Sequence, residues 1–272
     1  MIFRLVQRAR AWLPTPLLNG LRALGLPRLV RRFYRDAEVE LGYQQQFARD
    51  LRRVPDWHEK LRAYWLTHRQ LETLLVAARF EPGQRVLDVG CGLTSVLRCL
   101  PAPPSEQSWR RVGVDPLAEH YRHLLPWPES IQLLTAPAAS LPFPDASFDL
   151  VCCSNALDHM PDPAQALQEM QRVLTPNGHL LVTVELFGEA ETPSAGTASD
   201  TSASASTTIP PNRGPAHPHS LTRLEAERLL STCFEPLFQA VVPWLGLRQY
   251  IVADVRTGPA RELLWVGRKR RL

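Results

Sequence analysis

Arg85-Val86-Leu87-Asp88-Val89-Gly90-Cys91-Gly92 is a short apolar run that closes on an acid and two glycines one residue apart. Such a run reads as a buried parallel strand leading into a tight loop where a ligand meets backbone. Glycine suits that loop because a β-carbon would block a positive-φ turn and hold a ligand away from the main chain. A second acid, Asp115, ends the next apolar run, Arg111-Val112-Gly113-Val114-Asp115. Together the two ends outline a pocket for a nucleoside at the carboxyl edge of an α/β sheet.

Outward from this stretch, strands are predicted at 85–90, 111–115, 131–135, 148–154 and 179–185, with later strands around 234–242, 248–255 and 262–268. A helix over 163–174 places Ala164, Leu167, Met170, Val173 and Leu174 on one face and stops at Thr175-Pro176-Asn177-Gly178. Thr222 to Glu225 fits a capping box that opens another helix. Alternation of near-continuous apolar strands with helices predicts a parallel, doubly covered sheet. Residues 81–272 form this domain, behind a helical lead-in or lid over 36–80. Residues 189–216, rich in Ser, Thr, Ala, Gly and Pro, read as a low-complexity loop.

The net charge of +4 conceals an uneven distribution. Residues 1–35 hold eight arginines and no acid, leaving 23 basic against 27 acidic side chains in the remainder. Ile2, Leu5, Val6, Ala9, Trp12 and Leu13 share one helical face in this basic amphipathic arm. It suits a helical extension packed on the domain or a partner, an anchor on an anionic membrane surface, or, less well, a phosphate backbone. No run reaches the roughly 18 apolar residues of a spanning helix. The N-terminus lacks the clean apolar region of a signal peptide. Five cysteines without a C-x-x-C pair argue against zinc and for a reducing cytoplasm.

Four segments in order carry a family resemblance: Val86-Leu87-Asp88-Val89-Gly90-Cys91-Gly92, Val112-Gly113-Val114-Asp115, Leu141 through Val151 (LPFPDASFDLV) and Val173 through Leu181 (VLTPNGHLL). Together they resemble the class I S-adenosylmethionine-dependent methyltransferases of the methyltransferase type 11-like group. The resemblance covers residues 80–185 well and 217–270 loosely. It implies a Rossmann-like, doubly wound, seven-stranded sheet with an antiparallel last strand, preceded here by an N-terminal helical extension. It also implies S-adenosyl-L-methionine as methyl donor. Asp88, Gly90, Cys91 and Gly92 would underlie its methionine part. Asp115, followed by Pro116, would accept from both ribose hydroxyls, because a carboxylate offers two acceptor oxygens to a vicinal diol. Asn155 would meet the methionine end. Thr94 stands where many members have a small residue, and Thr135-Ala136-Pro137-Ala138-Ala139-Ser140 lacks the acid that often holds adenine. Adenine recognition then falls to backbone groups, to Ser140 or to stacking on Leu117.

His159, after the fourth strand, and His219, beyond the flexible loop beside His217, are candidate general bases, since imidazole titrates near neutral pH. The competing reading makes His159 and Asp158 a brace for their loop, and His217 and His219 a solvated pair. The acceptor class implied is a small molecule, lipid or quinone, or glycan. Cytoplasmic placement is expected, with the arm lying peripherally on a membrane's inner face. The absence of an Asn/Asp-Pro-Pro-Tyr/Phe motif argues against planar nitrogen acceptors. A nicotinamide oxidoreductase is disfavoured because Ser95 replaces the third glycine of G-x-G-x-x-G. The rival from another class is an inactive methyltransferase fold serving as a binding scaffold.

Overall fold

The computed structural model describes residues 28–101, 111–187, 219–244, 246–252 and 261–270. The arm over 1–27, the loop over 189–216 and His217 lie outside the described residues. Among the described residues three helices come first: α1 (Arg28–Leu51), α2 (Trp57–Thr67) and α3 (Leu71–Ala77). Helix α1 runs unbroken across residue 36, where the lead-in was expected to begin. The sheet domain follows as β1 (Val86–Val89), β2 (Arg111–Val114), α4 (Ala118–Leu124), β3 (Ile131–Leu134), β4 (Phe148–Ser154), α5 (Pro163–Val173) and β5 (Leu174–Leu186). It ends with α6 (Arg223–Ser231), β6 (Phe234–Pro243), α7 (Leu247–Val252) and β7 (Arg261–Lys269).

The seven strands lie in the order β3-β2-β1-β4-β5-β7-β6. The first five are parallel, and β7 inserts antiparallel between β5 and β6. All four residues of β1 and of β2 are buried, as expected of strands covered on both faces. Alternate side chains feed two cores. Val86, Leu150, Leu181 and Leu264 pack under the lead-in helices, while Leu87, Val151, Leu180 and Leu263 pack under α5 and α6. Trp57, Leu61, Tyr64, Trp65, Leu71 and Leu74 seat α2 and α3 on the first face.

The capping box opening α6 is present: Thr222 Oγ1 accepts from Glu225 N, and Glu225 Oε2 accepts from Thr222 N. Two local readings are corrected. The strand expected over 248–255 is instead helix α7 through Val252, and residues 253–255 lie outside the described set. Leu247, Tyr250 and Ile251 fall at i, i+3 and i+4, and Tyr250 packs its ring on Tyr64 of α2 at 5.6 Å. Helical spacing toward α2 overrides the strand preference of a short apolar run. Strand β5 also begins at Leu174 rather than 179. The chain leaves α5 extended at Leu174 (φ −73°, ψ 140°), with no left-handed glycine cap.

Candidate active site

The loop after β1 turns over the end of β2, with Gly90 N and Cys91 N both donating to Val114 O at 2.8 and 3.2 Å. Gly90 and Gly92 have φ of +73° and +54°. The two glycines differ in surroundings. A β-carbon on Gly90 would stand 2.5 Å from Ala156 Cβ, whereas one on Gly92 meets nothing within 4 Å. The space over Gly92 is open, with room for a ligand to approach the backbone. Cys91 is placed otherwise than its neighbours: its thiol packs on Gly113 of β2, so the residue faces the loop interior. Burial raises that thiol well above its usual range.

Asp115 ends β2 at the same edge. Its Oδ1 accepts from Leu117 N at 2.8 Å and its Oδ2 from Gly92 N at 3.2 Å. Each oxygen is thereby fixed while keeping a further lone pair. Burial pushes the Asp115 carboxyl up to about 6, against the pull of the Leu117 and Gly92 amides, with Glu40 of α1 adding repulsion. The nearby Tyr121 hydroxyl also favours the ionised form. Pro116 is exposed and Leu117 half-buried in the turn that follows.

Asp88 is buried beneath the loop. Ser95 Oγ donates to its Oδ2 at 2.6 Å and accepts from Leu97 N at 3.2 Å. The residue in the third glycine's place thus orients the loop acid and caps the short 3-10 turn over Val96–Arg98. Asp88 Oδ1 is buried without a hydrogen-bond partner, and burial raises the carboxyl to about 7.

Beyond β4, Asn155 adopts φ +48° and donates its amide to Thr183 O at 2.7 Å. Its Oδ1 is buried and unbonded. Asp158 gathers His159 and His219. Its Oδ2 lies 3.8 Å from His159 Nε2, an ion-pair separation too long for a hydrogen bond, and its carbonyl accepts from His219 N at 3.3 Å. His219 Nε2 is buried without a partner. Ser140 is exposed at the far side, its amide donating to Pro137 O at 3.1 Å. An acid the sequence reading did not place there, Glu169 of α5, accepts from Leu141 N at 2.8 Å. Arg172 binds Glu169 and the carbonyls of Leu141 and Phe143, so Glu169 braces this loop.

Orphaned acceptors at Asp88 and Asn155, a fixed carboxylate at Asp115 and open space over Gly92 fit an amino acid joined to a nucleoside. The strand order and the antiparallel last strand are those of the class I methyltransferase fold. Residues 87–182 match the family model described as a methyltransferase domain. Among curated relatives, the ubiquinone/menaquinone biosynthesis C-methyltransferase UbiE of Hahella chejuensis is 38% identical over 110 residues, 37% of this chain and 42% of that protein. The demethylmenaquinone methyltransferase of Listeria monocytogenes is 34% identical over 112 residues, 38% of this chain and 45% of that one. The chain's matches span only 32% to 45% of the length of such relatives. The solved 1,6-didemethyltoxoflavin-N1-methyltransferase of Burkholderia thailandensis shares the fold, with a TM-score of 0.52, 20% identity and coverage of 89% of this chain and 90% of that one.

Proposed function

We infer that the chain is an S-adenosylmethionine-dependent methyltransferase acting on a small-molecule acceptor. The observation that carries this reading is the Asp115 carboxylate, locked by the Gly92 and Leu117 amides beside the open face of Gly92. Asp115 takes the two ribose hydroxyls, and Asp88 and Asn155 offer their unbonded oxygens to the methionine ammonium. Gly90, Gly92 and the backbone of Cys91 lie under the tail. Pro116 and Leu117 border the adenine together with Ser140. When bound, S-adenosylmethionine supplies a methyl group on a sulfonium already primed for displacement. The protein's work is then alignment and exclusion of water. Where the acceptor is a hydroxyl or protonated amine, His159, held near Asp158, receives its proton. His219, docked on the same residue, is the second base candidate.

The names of the partial relatives favour a quinone-like acceptor within this class, and the basic arm fits delivery of an apolar acceptor from the inner face of a membrane. No helix among the described residues is long and apolar enough to cross a membrane. Two measurements test the reading. Tritiated-methyl transfer to a total extract places label in the small-molecule or lipid fraction. The full chain also binds S-adenosylhomocysteine saturably at about micromolar Kd. Absence of saturable binding would turn the reading toward the inactive scaffold. Flotation on anionic liposomes should recover the full chain with the vesicles and leave a chain lacking residues 1–35 in the soluble fraction. Equal recovery of both overturns the membrane part.

A further inference from the structure

Arg69 lies outside every segment that carries the family resemblance, yet it is buried at the carboxyl edge of the sheet. It stands in the corner between α2 and α3, which turns on Gln70 in the left-handed region (φ +49°). Its guanidinium rests over Trp65 and Tyr64, 4.7 and 5.2 Å from the ring centroids. Its Nη2 lies 2.7 Å from Glu262 Oε1 on β7, and its Nε donates to Glu262 Oε2 at 3.3 Å. Its Nη1 donates to Ser154 Oγ, the last residue of β4, at 2.5 Å. The fork therefore joins a lid corner, the antiparallel strand and the end of β4 at one buried point.

From that point to the glycine loop the chain of contacts is short. Ser154 Oγ lies 3.1 Å from Thr183 Oγ1, and the carbonyl of the same Thr183 accepts the amide of Asn155. Asn155 is strained at positive φ and bears an unbonded, buried oxygen. Ala156 follows and abuts Gly90 so closely that no β-carbon fits between them. A residue next in sequence to Ser154 thus presents a ligand-facing oxygen, and the one after it forms the wall of the cofactor loop.

We propose that Arg69 is a positioning residue. From the lid it clamps Ser154, and so sets the strained Asn155-Ala156 turn that receives the methionine end of the cofactor and supports Gly90. The role rests on the cofactor site described above. It ties seating of the lead-in helices to the shape of that site, so lid and cofactor bind cooperatively.

Calorimetric titration of S-adenosylhomocysteine into the full chain tests it, with thermal melting measured alongside. Arg69→Lys keeps a charge for Glu262 but loses the fork, and Ser154→Ala removes the contact without stranding a charge. Each weakens binding about tenfold. Adding Asn155→Ala to Ser154→Ala weakens binding no further than Asn155→Ala alone, because Ser154 acts through that turn. The comparison variant Arg85→Ala breaks the bidentate pair with Asp149 at the opposite edge of the sheet; it lowers the melting temperature yet keeps Kd within about twofold of the parent. If Arg69→Lys does not fold, Ser154→Ala decides the matter. A parent chain that fails to bind overturns the cofactor reading itself. A parent that binds, with Ser154→Ala or a folded Arg69→Lys within about twofold of it, overturns the positioning role, and so does additivity of Ser154→Ala and Asn155→Ala.

Discussion

Asp115→Ala abolishes saturable binding of S-adenosylhomocysteine. On the proposed binding mode two hydroxyl donors lose a charged acceptor inside a buried site, a loss of about 3 kcal/mol or more, or at least about a hundredfold in Kd. Titration calorimetry on the folded variant checks it, and retention of micromolar binding would sink the assignment. The same carboxylate predicts the pH dependence. Burial raises Asp115 to about 6 in the folded chain, above an unfolded value of about 3.9. Stability tied to it is thus fully present below about pH 4 and is lost as pH rises through about 6. Asp115→Asn removes that burden, so without ligand it melts higher than the parent at pH 8, with the advantage shrinking toward pH 5. On the proposed binding mode ribose hydroxyls donate to the ionised form, so the parent's affinity should fall as pH drops below about 6. Equal affinity at pH 5 and pH 8 contradicts this account.

Gly90→Val should be the most damaging single change in the loop. A β-branched residue at φ +73° is strained, and its β-carbon overlaps Ala156 at 2.5 Å. The expected loss is ~3 kcal/mol or more of stability, read from the denaturant midpoint. Gly92→Ala separates fold from function. It meets the positive-φ penalty of about 1–2 kcal/mol but no protein atom, so the chain folds while the new methyl group occupies ligand space. A Gly92→Ala protein that binds S-adenosylhomocysteine like the parent would move the ligand elsewhere.

Features that depend on one stretch of chain were readable in advance. Val86 through Val89 could hardly be anything but a buried strand, and the spacing of Gly90 and Gly92 needed only backbone geometry. The Thr222–Glu225 cap is likewise local. Helix α7 was misread because six residues are too few to separate the two periodicities, and its partner surface on α2 is almost 200 residues away. Asp115 could be named from its strand end, but its fixing by Gly92 N and the nearness of Glu40 belong to the folded chain. Ser95 was legible only as a departure from a glycine pattern. Its bond to Asp88 turns that departure into a device. Arg69 gave no signal at all: its partners Ser154 and Glu262 lie 85 and 193 residues away in sequence.

The place of β7 between β5 and β6 has a consequence for the chain on the ribosome. Everything that reads as the glycine loop is synthesised long before Arg261 emerges. Until it does, β5 keeps an open edge and Arg69 has no acid opposite it. A nascent chain stalled before that point is therefore a half-built sheet whose ligand corner is loose, and commitment to the native state waits for a strand translated after the one it must slip inside.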